Sequence, residues 1–378
     1  MKAFSAGRLH ALIPVIALLG GILLAMRAEA AVPAFHRGVN LSHWFQFSGG
    51  QPVRHEDLVT IRASGFDHVR IPFDPELLGW NPAEGPVVPK IAQLRSGVEM
   101  ALAVGLDVML DLHLDETTLK SIEGRRQSEA ALADLWAIVA RRFADLPSEH
   151  LAFELLNEPQ YYEWSNYRWA EVQQRLASAV RANAPKHLII ATGRKGSSPE
   201  GLAELMPLSD NNVAYAFHFY LPYIFTHQGA SWMTHDGSTA AWAVKGVPYP
   251  PITSTASIIA AIPDSNHRKR AEKEIAEYRG QSWGVERVRH LIQPAIAWAT
   301  AHHTRVICNE FGVLRTYADP QSRYRWLRDV RTTMENSGFG WTVWDFSDAF
   351  GITKSVGQKT QTKREIEPAA LEAFNLSR

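Results

Sequence analysis

Arg70, His113, Asn157, Glu158, His218, Tyr220, Glu310 and Trp344 share one placement in this chain: each stands late in, or just after, a run of apolar residues. Two carboxylates, two imidazoles, a permanent cation and a phenol are the ingredients of acid/base chemistry on a bound ligand. The clearest case is LAFELLNEPQYY, Leu151 to Tyr162, an apolar run that stops at Asn157, Glu158 and Pro159. A proline cannot donate to a ladder, so pairing stops there and Glu158 is left at a strand's C-terminal end. In barrels of alternating strands and helices, that end carries the active site. Singly, each residue has an ordinary reading. Glu158 suits a helix N-terminus or a solvated turn, Arg70 an ion pair, His113 and His218 a satisfied core, and Trp344 packing. Collected at one end of one barrel, they read as a site.

The elements that must collect them follow from periodicity. Candidate strands are FHRGVNL from Phe35, HVRIPFD from His68, DVMLDLH from Asp107, LAFELLN from Leu151, HLIIATG from His187, VAYAFHFY from Val213, VICNEFG from Val306 and GWTVWDF from Gly340. Between them lie amphipathic stretches such as RHEDLVTIRASG, SEAALADLWAIVARRFAD and RYRWLRDVRTTMENSG, with Gly65, Gly105 and Gly338 where C-terminal caps belong. Strand–helix alternation of this length implies an α/β chain folded as a closed parallel (β/α)8 TIM barrel. A doubly wound open sheet would want a Gly-rich turn after its first strand, and GVNLSHW is not one. The rhythm breaks from Leu221 to about Gly284, an extended loop after strand 6 that reads either as solvated decoration or as a wall of the cleft. No second domain is expected.

The 378 residues are balanced at 39 basic and 39 acidic side chains with 46% hydrophobic content, which gives no argument for nucleic acid. Residues 1–30 place Lys2 and Arg8 ahead of an apolar segment that ends in Ala28-Glu29-Ala30. That pattern predicts a secretory signal cleaved near Ala30, hence a secreted or periplasmic chain, residues 31–378, with no stable membrane insertion. Cys308 is the single cysteine, so no intramolecular disulfide is expected. Cofactors and metals are not called for: GRKGSS at Gly193 lacks the ending of a phosphate loop, and HLDE from His113 fits no zinc spacing.

The segments GVNLSHW, HVRIPF, DLH, NEP, FHFY, NEFG and WTVWDFS, spread over nearly the whole mature chain, resemble glycoside hydrolase family 5, the cellulase-type family of (β/α)8 barrels. The resemblance implies a retaining β-glycan hydrolase acting by double displacement, with Glu158 as general acid/base and Glu310 as nucleophile. It places Arg70, His113, Asn157, His218, Tyr220 and Trp344 among the supporting, sugar-binding positions. An endo-β-1,4-glucanase working as a monomer on a polysaccharide or oligosaccharide is the expected activity. A β-1,3-glucanase, a β-mannanase or a glycan-binding barrel with little turnover are the alternatives. His113-Leu114-Asp115-Glu116 departs from the Asn-Trp that follows this histidine in many family endoglucanases, which bears on substrate rather than on chemistry.

Electrostatics supports the division of roles. Arg70 favours an ionised Glu310, whose charge in turn raises the pKa of Glu158. Strand alternation puts Cys308 inside the barrel in phase with Glu310, and puts Glu154 inside beneath Glu158 with a partner still to be named. Trp44, Phe45, Trp80, Tyr161, Tyr162, Trp164 and Tyr223 are candidate cleft aromatics, about half of them contacts. His302 and His303 precede the seventh strand and belong at the surface.

Overall fold

Runs rich in Val, Ile, Leu and Phe become strands here because a parallel barrel strand is buried on both faces. They are β1 (Arg37–Asn40), β2 (His68–Phe73), β3 (Asp107–Leu112), β4 (Leu151–Glu154), β5 (Leu188–Thr192), β6 (Val213–His218), β7 (Val306–Phe311) and β8 (Gly340–Val343). Each pairs in parallel with the next, and β1 closes on β8 through Gly38 and Thr342. The (β/α)8 barrel read from the sequence is therefore the observed fold, and Ala31–Arg378 forms one compact unit. The computed structural model describes residues 33–47, 52–81, 87–163, 166–235, 239–252, 254–356 and 363–377, so the expected signal segment and Trp164 lie outside the described residues.

The predicted amphipathic stretches are helices, among them His55–Ala63, Arg126–Phe143 and Pro320–Asn336. Their apolar stripes, such as Leu132, Leu135, Trp136, Val139 and Phe143, pack onto the outward-facing strand residues. Gly65, Gly105 and Gly338 follow three helices with φ of 93°, 78° and 73°, the left-handed closure that costs glycine nothing.

Inside the barrel the layers change character along the axis. Met109, Ala152, Ile190, Ala214, Ala216 and Ile307 fill the N-terminal half, with Phe35 set edge-on against His68 as its floor. The next layer toward the strands' C-terminal ends is polar and wholly buried: Asn40, Arg70, Asp111, Glu154 and Asn309.

Cys308 departs from expectation. It lies beside Phe217 and Trp341 in register and belongs to the apolar layer outside the barrel, not to the interior. The reason is a bulge in β7: Phe217 pairs with Cys308 but His218 pairs with Glu310, which leaves Asn309 as an extra residue. The bulge resets the alternation, so Asn309 and Glu310 both reach inward while Cys308 does not.

The loop after β6 is structured. It contains a short helix Tyr223–Thr226, turns at Ser231–His235 and Ala241–Ala243, and helices Ala256–Ala260 and Ser265–Arg279. The charged run forms the last of these. Asp264 caps it, and its Glu274 accepts from Thr239 Oγ1 at 2.7 Å and Ala240 N at 2.8 Å, tying the loop together. After β8 come an antiparallel pair, β9 (Thr353–Val356) and β10 (Lys363–Ile366), and a helix Pro368–Phe374 whose Phe374 stacks on Trp341. His302 and His303 are exposed, as expected. No described helix is long and apolar enough to cross a membrane.

The placement of Cys308 is testable. Its thiol pKa is pushed well up by burial, so it should stay inert to thiol reagents in the native protein and react once the chain is unfolded. Cys308→Ala should cost about 1 kcal/mol in urea unfolding and leave turnover intact. A thiol that reacts freely in the folded state, or a variant without turnover, would return Cys308 to the site.

Candidate active site

A guanidinium has five N–H donors, and Arg70, wholly buried on β2, uses all of them. Its Nε and one terminal nitrogen clamp Glu154 at 2.7 and 2.8 Å. The remaining hydrogens go to Asn157 Oδ1 at 2.9 Å, Asn40 Oδ1 at 3.0 Å and Glu310 Oε1 at 2.5 Å. Asp111 Oδ2 lies 3.0 Å from the same guanidinium. Glu154 thus faces inward as the alternation required, and its partners are Arg70 and Asn309 Nδ2, the latter at 2.8 Å. Burial works against the charge of Arg70, but Asp111, Glu154 and Glu310 outweigh it and raise its pKa further.

Glu158 sits not on β4 but four residues past its end, on a loop where its φ is 42°. Such a backbone persists only when its surroundings hold it. Here Glu123 accepts from Gln160 N at 2.7 Å and Tyr161 N at 3.1 Å, while Glu129 accepts from Tyr161 Oη at 3.0 Å. From the other side, the left-handed turn Lys195-Gly196-Ser197 donates Lys195 N to Gln160 O and Gly196 N to Pro159 O. The GRKGSS connection therefore braces the Glu158 loop.

Glu310 is fixed by two donors, Arg70 at Oε1 and Tyr220 Oη at Oε2, 2.9 Å. His218 stands between the carboxyls, with Nδ1 2.9 Å from Glu158 Oε1 and 3.5 Å from Glu310 Oε2. These three donor atoms all lie within 4.8 Å of one another. Two carboxylates and an imidazole are able to ligate a divalent cation, but Arg70 against Glu310 already supplies a positive charge that a second one must oppose.

Asn157 donates Nδ2 toward His113 Nε2 at 3.1 Å, and His113 Nδ1 lies 2.9 Å from Asp111 Oδ2. The His113 ring stacks on Trp344 at 5.8 Å between centroids. Trp344 precedes a cis peptide to Asp345, whose buried carboxylate accepts from Ser42 Oγ, Ser347 N and Asp348 N. A Cβ on Gly312 would fall 2.2 Å from Trp344 O, so only glycine lets the chain just past β7 run this close.

The titrations separate accordingly. Burial raises the Glu158 carboxyl against the pull of His113 and Arg70. Desolvation, rather than the charge of Glu310 expected from the sequence, is the leading cause. Burial lowers His113 and His218 to about 4, and it raises Tyr220 well above its ordinary range, helped by Glu310 and Glu158. At neutral pH both imidazoles are neutral and the phenol keeps its proton. The Glu158 side chain is 37% accessible against 5% for Glu310, so its carboxyl is enclosed by enough protein to be desolvated yet keeps a face toward solvent.

The profile of Cellulase (glycosyl hydrolase family 5) matches residues 29–350. The chain belongs to this family. Among its relatives, Endoglucanase C of Acetivibrio thermocellus is 28% identical over 329 residues, 83% of this chain and 91% of that protein. Endoglucanase 3 of Fibrobacter succinogenes is 25% identical over 347 residues, 86% of this chain, which spans about half (52%) of the length of that relative. A solved hyperthermophilic endo-beta-1,4-glucanase in complex with substrate has a TM-score of 0.70 at 26% identity, covering 90% of this chain and 97% of that one.

The structure thus brings together Arg70, His113, Asn157, Glu158, His218, Tyr220, Glu310 and Trp344 on a family 5 barrel. The aromatics divide: Trp44 and Phe45 pack against the core, Trp80 and Tyr161 are buried in it, and Tyr162 and Tyr223 are exposed. Sequence reasoning missed Asp111 and Asn309, which share the Arg70 layer, although Asp111 is in phase with His113 in DLH. It also missed Trp232, 57% exposed on the loop after β6, which leans on His227 and Phe350.

Two outcomes follow for this family 5 site. Arg70→Met leaves buried carboxylates uncompensated and should lower urea-unfolding stability by about 3–5 kcal/mol. A change under 1 kcal/mol would mean that the layer does not depend on the guanidinium. His227, neutral and lowered to about 3 by burial, contributes stability that is complete above its unfolded value near 6.5 and is lost as pH falls toward 3. Melting temperatures of the wild type and His227→Phe should therefore diverge below about pH 6.5, the wild type losing more. Parallel curves would contradict the burial of a neutral imidazole.

Proposed function

We propose that this family 5 chain is an exported endo-β-1,4-glucanase that cleaves with retention of configuration. The observation that carries the reading is the spacing of Glu158 and Glu310, within 4.8 Å at their facing atoms. Retaining glycosidases hold their carboxyls about 5–5.5 Å apart, whereas inverting ones leave about 6.5–9.5 Å for a water. The endoglucanase relatives and the substrate-bound endo-beta-1,4-glucanase structure support glucan as the substrate. The basic, apolar and small-residue pattern of residues 1–30 supports export.

In this reading Glu310, oriented by Arg70 and Tyr220, attacks the anomeric carbon while Glu158 gives its proton to the leaving oxygen. The glycosyl ester on Glu310 is then hydrolysed by a water that Glu158, now ionised, deprotonates. A raised Glu158 pKa suits the first half, because the group must arrive protonated. Asn157 presents an amide hydrogen to the sugar hydroxyl next to the reacting carbon, and Trp344 offers the ring a flat apolar face. Intact carboxyls at both positions tell against a barrel that only binds glycan.

The two carboxyls act in different steps, and leaving-group chemistry separates them. Glu158→Ala should lose turnover of cellulosic substrate by about 100-fold or more. It should still form the glycosyl ester from an activated aryl cellobioside, with added azide giving a β-glycosyl azide. Glu310→Ala should lose both substrates, and any azide product should have inverted configuration. A Glu310→Ala enzyme that still cleaves the aryl glycoside with retention, or a Glu158→Ala enzyme with normal cellulosic turnover, would reverse the assignment.

A further inference from the structure

We propose that Asp111 is a positioning residue for the reaction: it fixes the tautomer of His113, and through it the direction in which Asn157 points its amide hydrogens. The proposal rests on the reading above, that Asn157 meets the sugar hydroxyl beside the reacting carbon.

The deduction starts from the one group in the site that can only donate. Arg70 is permanently charged, so the Asn157 atom 2.9 Å from its guanidinium must be the amide oxygen. The amide nitrogen of Asn157 is then the atom 3.1 Å from His113 Nε2. An amide NH2 only donates, so Nε2 must be the bare, accepting nitrogen. His113 is neutral at the pH of the reaction, so its single ring hydrogen is on Nδ1. Nδ1 lies 2.9 Å from Asp111 Oδ2, which accepts that hydrogen. One hydrogen of the Asn157 amide is consumed by His113, and the other is left for substrate. If His113 held its hydrogen on Nε2 instead, two donors would face each other and Asn157 would be pushed off its position.

Asp111 is well suited to that task. It is wholly buried on β3, in phase with His113, and Arg70 holds the same Oδ2 at 3.0 Å, so this acceptor cannot swing away. Its other oxygen, Oδ1, is buried with no hydrogen-bond partner among the described residues. One oxygen carries the function, and an amide oxygen in its place would serve equally well. Asp111 therefore touches no substrate and acts only through His113 and Asn157.

The test compares Asp111→Leu, which removes the acceptor at similar volume, with Asp111→Asn, which keeps an oxygen able to occupy the Oδ2 position. Long-range 1H–15N correlation spectra of histidine-labelled protein near pH 7, with His113→Asn to assign the signal, read the tautomer directly. Kinetics use 4-nitrophenyl β-cellobioside and its analogue lacking the 2-hydroxyl on the glucosyl unit next to the aryl group. The wild type should show His113 protonated on Nδ1 and should discriminate against the deoxy analogue. Asp111→Leu should lose the pure Nδ1–H form, drop kcat about 10- to 100-fold with KM little changed, and discriminate less against the deoxy analogue. Asp111→Asn should keep the tautomer and most of kcat. The proposal is overturned if wild-type His113 carries its hydrogen on Nε2, or if Asp111→Leu folds and leaves tautomer, kcat and deoxy discrimination unchanged. A wild type that does not discriminate against the deoxy analogue overturns the reading of Asn157 itself, and the tautomer spectrum distinguishes that failure from a failure of the Asp111 link.

Discussion

A single buried cation organises this site. Placing the Arg70 guanidinium inside a barrel is tolerable only if its charge is matched and all its hydrogens are used, and both conditions are met by residues from four other strands or their C-terminal loops. Asn40 comes from β1, Asp111 from β3, Glu154 from β4 with Asn157 just after it, and Glu310 from β7. Three carboxylates around one guanidinium leave an excess of negative charge. Burial raises Asp111 to about 7 and raises Glu154 above its ordinary range, against the pull of Arg70. The apolar lower half of the barrel contributes by keeping water from this layer, which makes each polar contact within it matter more.

Proximity to that cation then grades the groups above it. Glu310 touches Arg70 directly and takes a phenolic hydrogen on its other oxygen. Glu158 does not touch it, lies on a loop braced by Glu123, Glu129 and the turn at Lys195, and keeps an accessible face. Two side chains of the same type are made chemically unlike by what each can reach. His218 stands between them, and His113 stands beside Asn157; both are neutral and act as directional hydrogen-bonding groups rather than as charges.

The barrel and the residues at its mouth were legible in the sequence because both rest on local patterns. An apolar run followed by a polar residue shows as a strand end whatever its neighbours do. What was not legible rests on register. Cys308 reads as an interior residue by strict alternation, and only the pairing of His218 with Glu310 reveals the extra residue that turns it outward. The partner of Glu154 was invisible for the same reason: Arg70 is 84 positions away, and nothing in the spacing links them. Four of the candidate cleft aromatics proved to pack in or against the core, since a tryptophan near a strand end looks the same whether it faces the mouth or the helices.

That contrast also explains where variation is possible. Groups whose protonation must stay fixed, namely Arg70, Tyr220 and the two histidines, are buried or partly buried and held by the barrel, so a change to any of them breaks hydrogen bonds inside the site. Glu158, the raised carboxyl that meets solvent, rides on a loop whose backbone needs external bracing. The loop after β6 lies outside both constraints. It closes on its own hydrogen bonds through Glu274, and it carries Trp232 and Tyr223 on an exposed face. It can be lengthened or reshaped without touching the Arg70 layer, which is how a barrel alters what it binds while leaving its chemistry in place.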